Sequence, residues 1–349
     1  MVARASNEKV ASLQYLRGVA ALMVVLFHAG ALIGSDNYHG NQAIGSLTSG
    51  LNIGVDLFFV LSGFVISVPL FLGRTVPSPR EFLVNRALRI YPLVALTALI
   101  FTASSTILSG KPFADNIDVL LSSALLVPYP KDPVPIVLWT LRQEMLFYLL
   151  FAVVLVSRRT GLIMIVGWAT SSFLIGSSHW LWGIFFHPNN IQFAMGIGTC
   201  FVCSRISISS ALASVAFALS GALLLVYALF WNEHTSVGMF NWGVGSAGIL
   251  SSIVVGTAYF SSLLLGRSLL LLGKASFSIY LIHYFFISAV NKVLFGFRHF
   301  LPDVVSLVIL FVLAVIGGVI FFLLFEKPLE RVRKGLMLRP KLTCAGQTT

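Results

Sequence analysis

The sequence predicts an all-α polytopic membrane protein with about ten transmembrane helices and both termini in the cytoplasm. Three observations carry that reading. Of 349 residues, 57% are hydrophobic and only 10% charged, with a mean hydropathy of +0.93; a soluble domain would carry about a quarter charged residues. Apolar runs of about 20 residues, long enough to cross a bilayer, recur from one end to the other. Finally, the lysines and arginines fall on alternate sides of those runs, as the positive-inside rule requires.

Taken in order, the expected spans are 13–33, 51–72, 90–109, 139–156, 161–177, 188–204, 209–231, 242–265, 275–295 and 304–325. "AGA" at 29–31 resembles a signal-peptide cleavage site, but Arg17 and His28 suit an apolar leader core badly, so the first span is expected to stay uncleaved. The sixth span is short and opens on "HPNN". The stretch "IDVLLSSALLV" at 117–127 is too short to cross at about 1.5 Å per residue and is expected to be re-entrant or interfacial. Charge tests that choice. With ten spans, 18 Lys and Arg face the cytoplasm and five face outside; if 117–127 crossed, the split would become 11 against 12. The formal net charge of +11 is therefore read as membrane orientation, with no nucleic acid expected. Cys200 and Cys203 form a C-x-x-C without further ligands nearby and are read as small core residues.

Polar residues inside apolar spans mark the chemistry, because bilayers reject them unless they face protein or a wet cavity. Arg17 and His28 lie eleven residues apart, which brings them within about 20° of one another on the first helix, with Gln14 close to the same face. Snorkelling or capping is the alternative for both. In "NIGVDLFFVLSGFVIS" Asp56 enters the second span, either complementing the helix dipole or serving the site. Gly63, seven residues on, shares its face and admits a close backbone approach. In "WTLRQEMLFY" Glu144 needs a partner from another span, since Arg142 points elsewhere. Arg86 and Arg89 share a face at i, i+3, and serve orientation or a phosphate-bearing ligand. Ser276, Tyr280 and His283 form a second stripe at i, i+4 and i+7, structural or ligand-contacting. His179, His187, His234 and His299 are read as solvated loop residues.

At these residues the sequence resembles the membrane acyltransferase family known as acyltransferase 3. "LQYLRGVAALMVVLFH", "GVDLFFVLSGFVIS", "RALRIYP", "WTLRQEMLFY" and "LGKASFSIYLIH" are similar, in order, to that family's signatures over residues 13–283. The opening stretch looks closest to the branch that modifies bacterial exopolysaccharides. The resemblance implies O-acylation of a glycan or other hydroxyl acceptor by cytoplasmic acyl-CoA, most often acetyl-CoA, without a metal. It places the protein in the bacterial inner membrane, among lipid and other polysaccharide-biosynthesis proteins. Residues 1–334 would form one transmembrane acyltransferase domain and 335–349 a short cytoplasmic tail.

Carried over residue by residue, the resemblance makes His28 the essential histidine, Arg86 and Arg89 the donor-binding basic cluster, and Glu144 the acidic position of the fourth helix. The cluster reads Arg-x-x-Arg here, which leaves open which arginine meets the donor. On chemical grounds His28 is expected to act as general base, with an acyl-histidine carrier as the alternative. Asp56 or Glu144 would orient its ring, as a third triad member does. Arg17 would line the donor's passage, and Tyr280 and His283 would contact substrate. A transporter or flippase of a lipid-linked saccharide is the alternative function, but the chain shows no repeat symmetry or Gly/Pro-broken helices in matching halves.

Overall fold

The computed structural model describes residues 2–73, 75–109, 116–174, 180–205 and 267–337, and all of their regular structure is helical. The helices are α1 (Val2–Gly34), α2 (Gln42–Ser49), α3 (Ile53–Phe71), α4 (Pro79–Ser109), α5 (Ile117–Ala124) and α6 (Trp139–Val156). They continue as α7 (Arg158–Leu174), α8 (Trp180–Phe185), α9 (Asn190–Arg205), α10 (Arg267–Phe295), α11 (Asp303–Phe321) and α12 (Lys327–Met337). Six helical stretches among the described residues are long and apolar enough to cross a membrane: Leu13–Gly34, Gln42–Phe71, Pro79–Ile107, Ile136–Val156, Ser268–Phe295 and Asp303–Gly335. They correspond to the first four and last two expected spans. At 17 and 16 residues, α7 and α9 are shorter, and the seventh and eighth expected spans lie outside the described residues.

Local sequence explains where the helices begin and end. Ser78 accepts a hydrogen bond from the Glu81 amide at 3.2 Å, and Pro79 occupies the first helical position. Proline suits that position because its missing N–H would be unsatisfied there anyway. This start lies eleven residues before the expected third span, so Arg86 and Arg89 sit well inside the helix, at the i, i+3 spacing that gives them one face. The 31 residues of α4 extend for about 46 Å, well beyond the hydrocarbon thickness. By contrast, the eight residues of α5 reach only about 12 Å and pack beside α4. At the other end of the chain, a π turn at Phe322–Glu326 joins α11 to α12 and carries the helix past the expected limit at 325. The extension brings Glu326 into the helical body, where it is 8% exposed.

In the packing, α1 touches α2, α3, α10 and α11; α3 lies along α9; and α6 meets α4, α7 and α9. In lipid, close helix contact depends on small residues. A Cβ on Gly63 would lie 2.2 Å from the Phe193 carbonyl oxygen, and one on Gly196 would lie 2.2 Å from that of Val60. The backbones of α3 and α9 therefore touch at these two glycines. Phe147 of α6 stacks on Phe193 of α9 at 4.3 Å, which ties this pair to the larger core. Cys200 and Cys203 are buried on α9, against the core around α3.

Candidate active site

Side chains from α1, α3, α4, α6 and α10 enclose a cavity of about 800 Å³, counting its open part. Arg17, Arg86, Arg89, Glu144 and Tyr280 all line it, although they are drawn from positions 17 to 280 of the chain. The remaining wall is mainly apolar and aromatic, including Val55, Phe58, Phe59, Ile66, Ile90 and Phe277. Glu144 accepts hydrogen bonds from Ser62 Oγ at 2.7 Å and from Tyr148 OH at 2.5 Å. The Arg86 guanidinium lies 5.3 Å from the Tyr148 ring centroid, within cation–π range. Carboxylate, phenol, hydroxyl and guanidinium thus form one supported group at the cavity wall.

Arg17 and Arg89 also line a second cavity of about 1100 Å³, again counting its open part, so they stand at the junction of the two. Lys274, Lys327, Arg333 and Lys334 surround this second space, with Glu326 and Glu330 as its carboxylates. Glu326 accepts from Ser278 Oγ at 2.5 Å and lies near Arg17 and Arg89. Arg333 donates from Nη1 to the Asn85 carbonyl oxygen at 3.3 Å, fastening α12 to α4. The result is a cationic mouth opening onto a mainly apolar chamber.

Tyr280 forms part of the chamber wall and separates it from a histidine pair. Its hydroxyl donates to the Val137 carbonyl oxygen at 2.9 Å and lies 2.7 Å from Thr140 Oγ1. Its ring centroid is 5.9 Å from that of His283. His283 in turn places Nε2 3.2 Å from Nδ1 of His28. His28 Nδ1 also lies 3.0 Å from the Val24 carbonyl oxygen. Tyr284 meets the His28 ring edge-on at 5.6 Å.

Three of the sequence expectations meet a different arrangement. Asp56 faces α9, where its carboxylate accepts from Asn189 Nδ2 at 3.0 Å and Gln192 is a further partner. The reason is geometric: Asp56 shares its helix face with Gly63, and that face is packed against α9. Glu144 is engaged by Ser62 and Tyr148 on the chamber wall. The side-chain partner on the His28 ring is therefore a histidine rather than either carboxylate. His283, expected to contact substrate, is fully buried with both ring nitrogens against protein atoms.

Among the loop histidines, His187 is half-buried against Trp139, with ring centroids 5.0 Å apart, and burial pushes its imidazole down to about 4. His299 is exposed, and His179 and His234 lie outside the described residues. Sequence reading passed over Ser62, Tyr148, Ser278 and Glu326. Tyr148 stands four residues after Glu144, a spacing that signals contact on a helix. Glu326 gave no such signal, because the apolar run ends just before it. It also passed over His39, which lies 2.9 Å from Asp303 Oδ1 and 3.2 Å from Asn291 Oδ1. Among the described residues no three metal-ligating side chains converge.

The family model described as "Acyltransferase domain" (Acyl_transf_3) matches residues 10–323. A curated relative, the exopolysaccharide production protein ExoZ of Rhizobium meliloti (strain 1021), is 29% identical over 314 residues, covering 84% of this chain and 93% of the relative. No solved structure matches.

Proposed function

Because the chain belongs to the acyltransferase 3 family and is an acyltransferase built of membrane-length helices, we propose that it moves an acetyl group from cytoplasmic acetyl-CoA to a hydroxyl of an exported glycan. The chamber that gathers Arg17, Arg86, Arg89 and Glu144 carries this reading. The similarity to an exopolysaccharide production protein supports a glycan acceptor. In the proposed topology ten spans cross the bacterial inner membrane with both termini in the cytoplasm, which puts the cationic mouth on the side that holds acyl-CoA.

The residues fit such a donor. Phosphates are anionic and pair best with guanidinium groups, which Arg17 and Arg89 present at the junction of the two cavities. The pantetheine arm is thin, with methylene and gem-dimethyl segments between its two amides, and the short acyl group at its end suits the mainly apolar chamber wall. In this reading the thioester passes Tyr280 to reach the histidine pair; there the acceptor hydroxyl attacks its carbonyl while His28 takes the proton, and the C–S bond breaks as the tetrahedral intermediate collapses. The proton on His28 then passes to the departing thiolate, so ester and free thiol are the products and the imidazole returns neutral. General-base assistance of this kind contributes about 10²–10⁴-fold.

Purified protein in lipid nanodiscs, given radiolabelled acetyl-CoA and isolated cell-surface glycan, tests the proposal. The expected result is label in the glycan that mild base releases. Donor binding without transfer to any glycan hydroxyl would contradict it.

A further inference from the structure

The hydrogen-bond acceptors around the two histidines fix where their protons lie. His283 Nδ1 faces two backbone carbonyl oxygens, those of Tyr280 at 2.7 Å and Ile279 at 3.1 Å. Carbonyl oxygens only accept, so Nδ1 carries the hydrogen, and neutral His283 then has a lone pair on Nε2. That lone pair faces His28 Nδ1 at 3.2 Å. His28 Nδ1 must therefore be the donor, and it shares its hydrogen with the Val24 carbonyl oxygen at 3.0 Å. One arrangement of neutral rings satisfies all four contacts: both histidines protonated on Nδ1. The lone pair of His28 is then on Nε2, which has no hydrogen-bond partner among the described residues. Burial separates the two roles, since His283 is fully enclosed while His28 is only half-buried.

We infer that His283 is a positioning residue that, with the Val24 carbonyl, holds His28 in the Nδ1–H tautomer and so presents Nε2 as the base toward the acceptor hydroxyl. The inference rests on the proposed role of His28. It gives the late histidine the task that a carboxylate performs in a Ser-His-Asp triad: fixing ring orientation and tautomer and supporting the imidazolium that forms. A neutral imidazole can do this in an apolar surrounding without burying a second charge. The pairing also links α10 to α1 through the reacting ring, so any shift between these helices would move the base.

Two variants and one spectrum test it. His283→Phe keeps the bulk and removes the acceptor; His283→Gln returns an oxygen able to accept from His28 Nδ1. In folded protein, His283→Phe is expected to lower kcat about 100-fold while the KM for acetyl-CoA stays within about twofold, and His283→Gln to recover at least about tenfold of that loss. The nitrogen-15 spectrum of histidine-labelled wild type, compared with that of His28→Ala, should show His28 protonated on Nδ1 and bare on Nε2. That spectrum needs no turnover. Activity retained by His28→Ala would remove the base reading itself. Where His28→Ala is inactive, a proton on Nε2 of wild-type His28, full activity of His283→Phe, or no recovery in His283→Gln would each overturn the role of His283 alone.

Discussion

Glu144 shows how one side chain can hold several others in place. Its carboxylate accepts from Ser62 and Tyr148, and Tyr148 is 3% exposed with Arg86 beside its ring. Leaving buried hydroxyls without an acceptor costs about 1–3 kcal/mol each. Glu144→Leu is therefore expected to lower stability in detergent by about that amount or more, while Glu144→Gln, which keeps one accepting oxygen, should lose less. Thermal unfolding of the two variants side by side is the check, and equal losses would contradict it. Arg89, placed at the junction of both cavities, is expected to act on donor affinity. Arg89→Ala should raise the KM for acetyl-CoA about tenfold or more with little change in kcat, consistent with loss of one charge-assisted phosphate contact. Unchanged donor dependence would remove Arg89 from that role. Residue types and their helix faces were readable in the sequence: Asp56 and Gly63 share a face, and Arg17, Arg86 and Arg89 meet at one cavity, but Glu144, expected beside His28, lines that cavity with them instead. Partners were not readable. Periodicity tells which side of a helix a residue is on, but the neighbouring helix is set by long-range packing, and this is why neither Asp56 nor Glu144 meets the His28 ring.

At the scale of elements, the α3–α9 contact depends on the absence of two side chains. Added carbon at Gly63 would meet the Phe193 carbonyl oxygen, a backbone atom that cannot swing aside. Gly63→Ala should cost about 1–3 kcal/mol as an overpacked contact. Gly198 offers an internal control on the same α9, because nothing lies within 4 Å of a Cβ placed there. Gly198→Ala should leave the melting temperature unchanged or slightly raised; equal destabilisation by both changes would argue against the close approach. Helix ends were the less legible part of this layer. The start of α4 was written in the sequence as Ser-Pro-Arg-Glu, yet hydropathy alone puts the boundary at the apolar run. The π turn at Phe322–Glu326 leaves no mark in the hydropathy pattern, which simply ends at the last apolar residue.

For the molecule as a whole, the segregation of charge sets both orientation and function in the proposed reading. Thr75 follows α3 and Asn37 follows α1, and both are exposed. Cysteines introduced singly at these positions, with Cys344 replaced by alanine, should react with a membrane-impermeant maleimide from opposite sides. Thr75→Cys is expected to label only after the inner membrane is opened, and Asn37→Cys in intact spheroplasts. Labelling of both from one side would contradict the topology. The multi-pass helical character was legible because it follows from composition, which bilayer energetics read directly. The division into a cationic mouth, an apolar chamber and a histidine pair behind Tyr280 was not, because it depends on α1, α4, α6 and α10 meeting.

The central claim is His28-dependent acyl transfer to a glycan, and it is tested most directly in the glycan itself. Proton NMR would be recorded on surface glycans from cells lacking the protein, complemented with wild type or with His28→Ala at matched membrane levels. Base-labile O-acetyl signals restored by wild type alone are the predicted result; equal restoration by His28→Ala, or no such signal with wild type, would contradict the account.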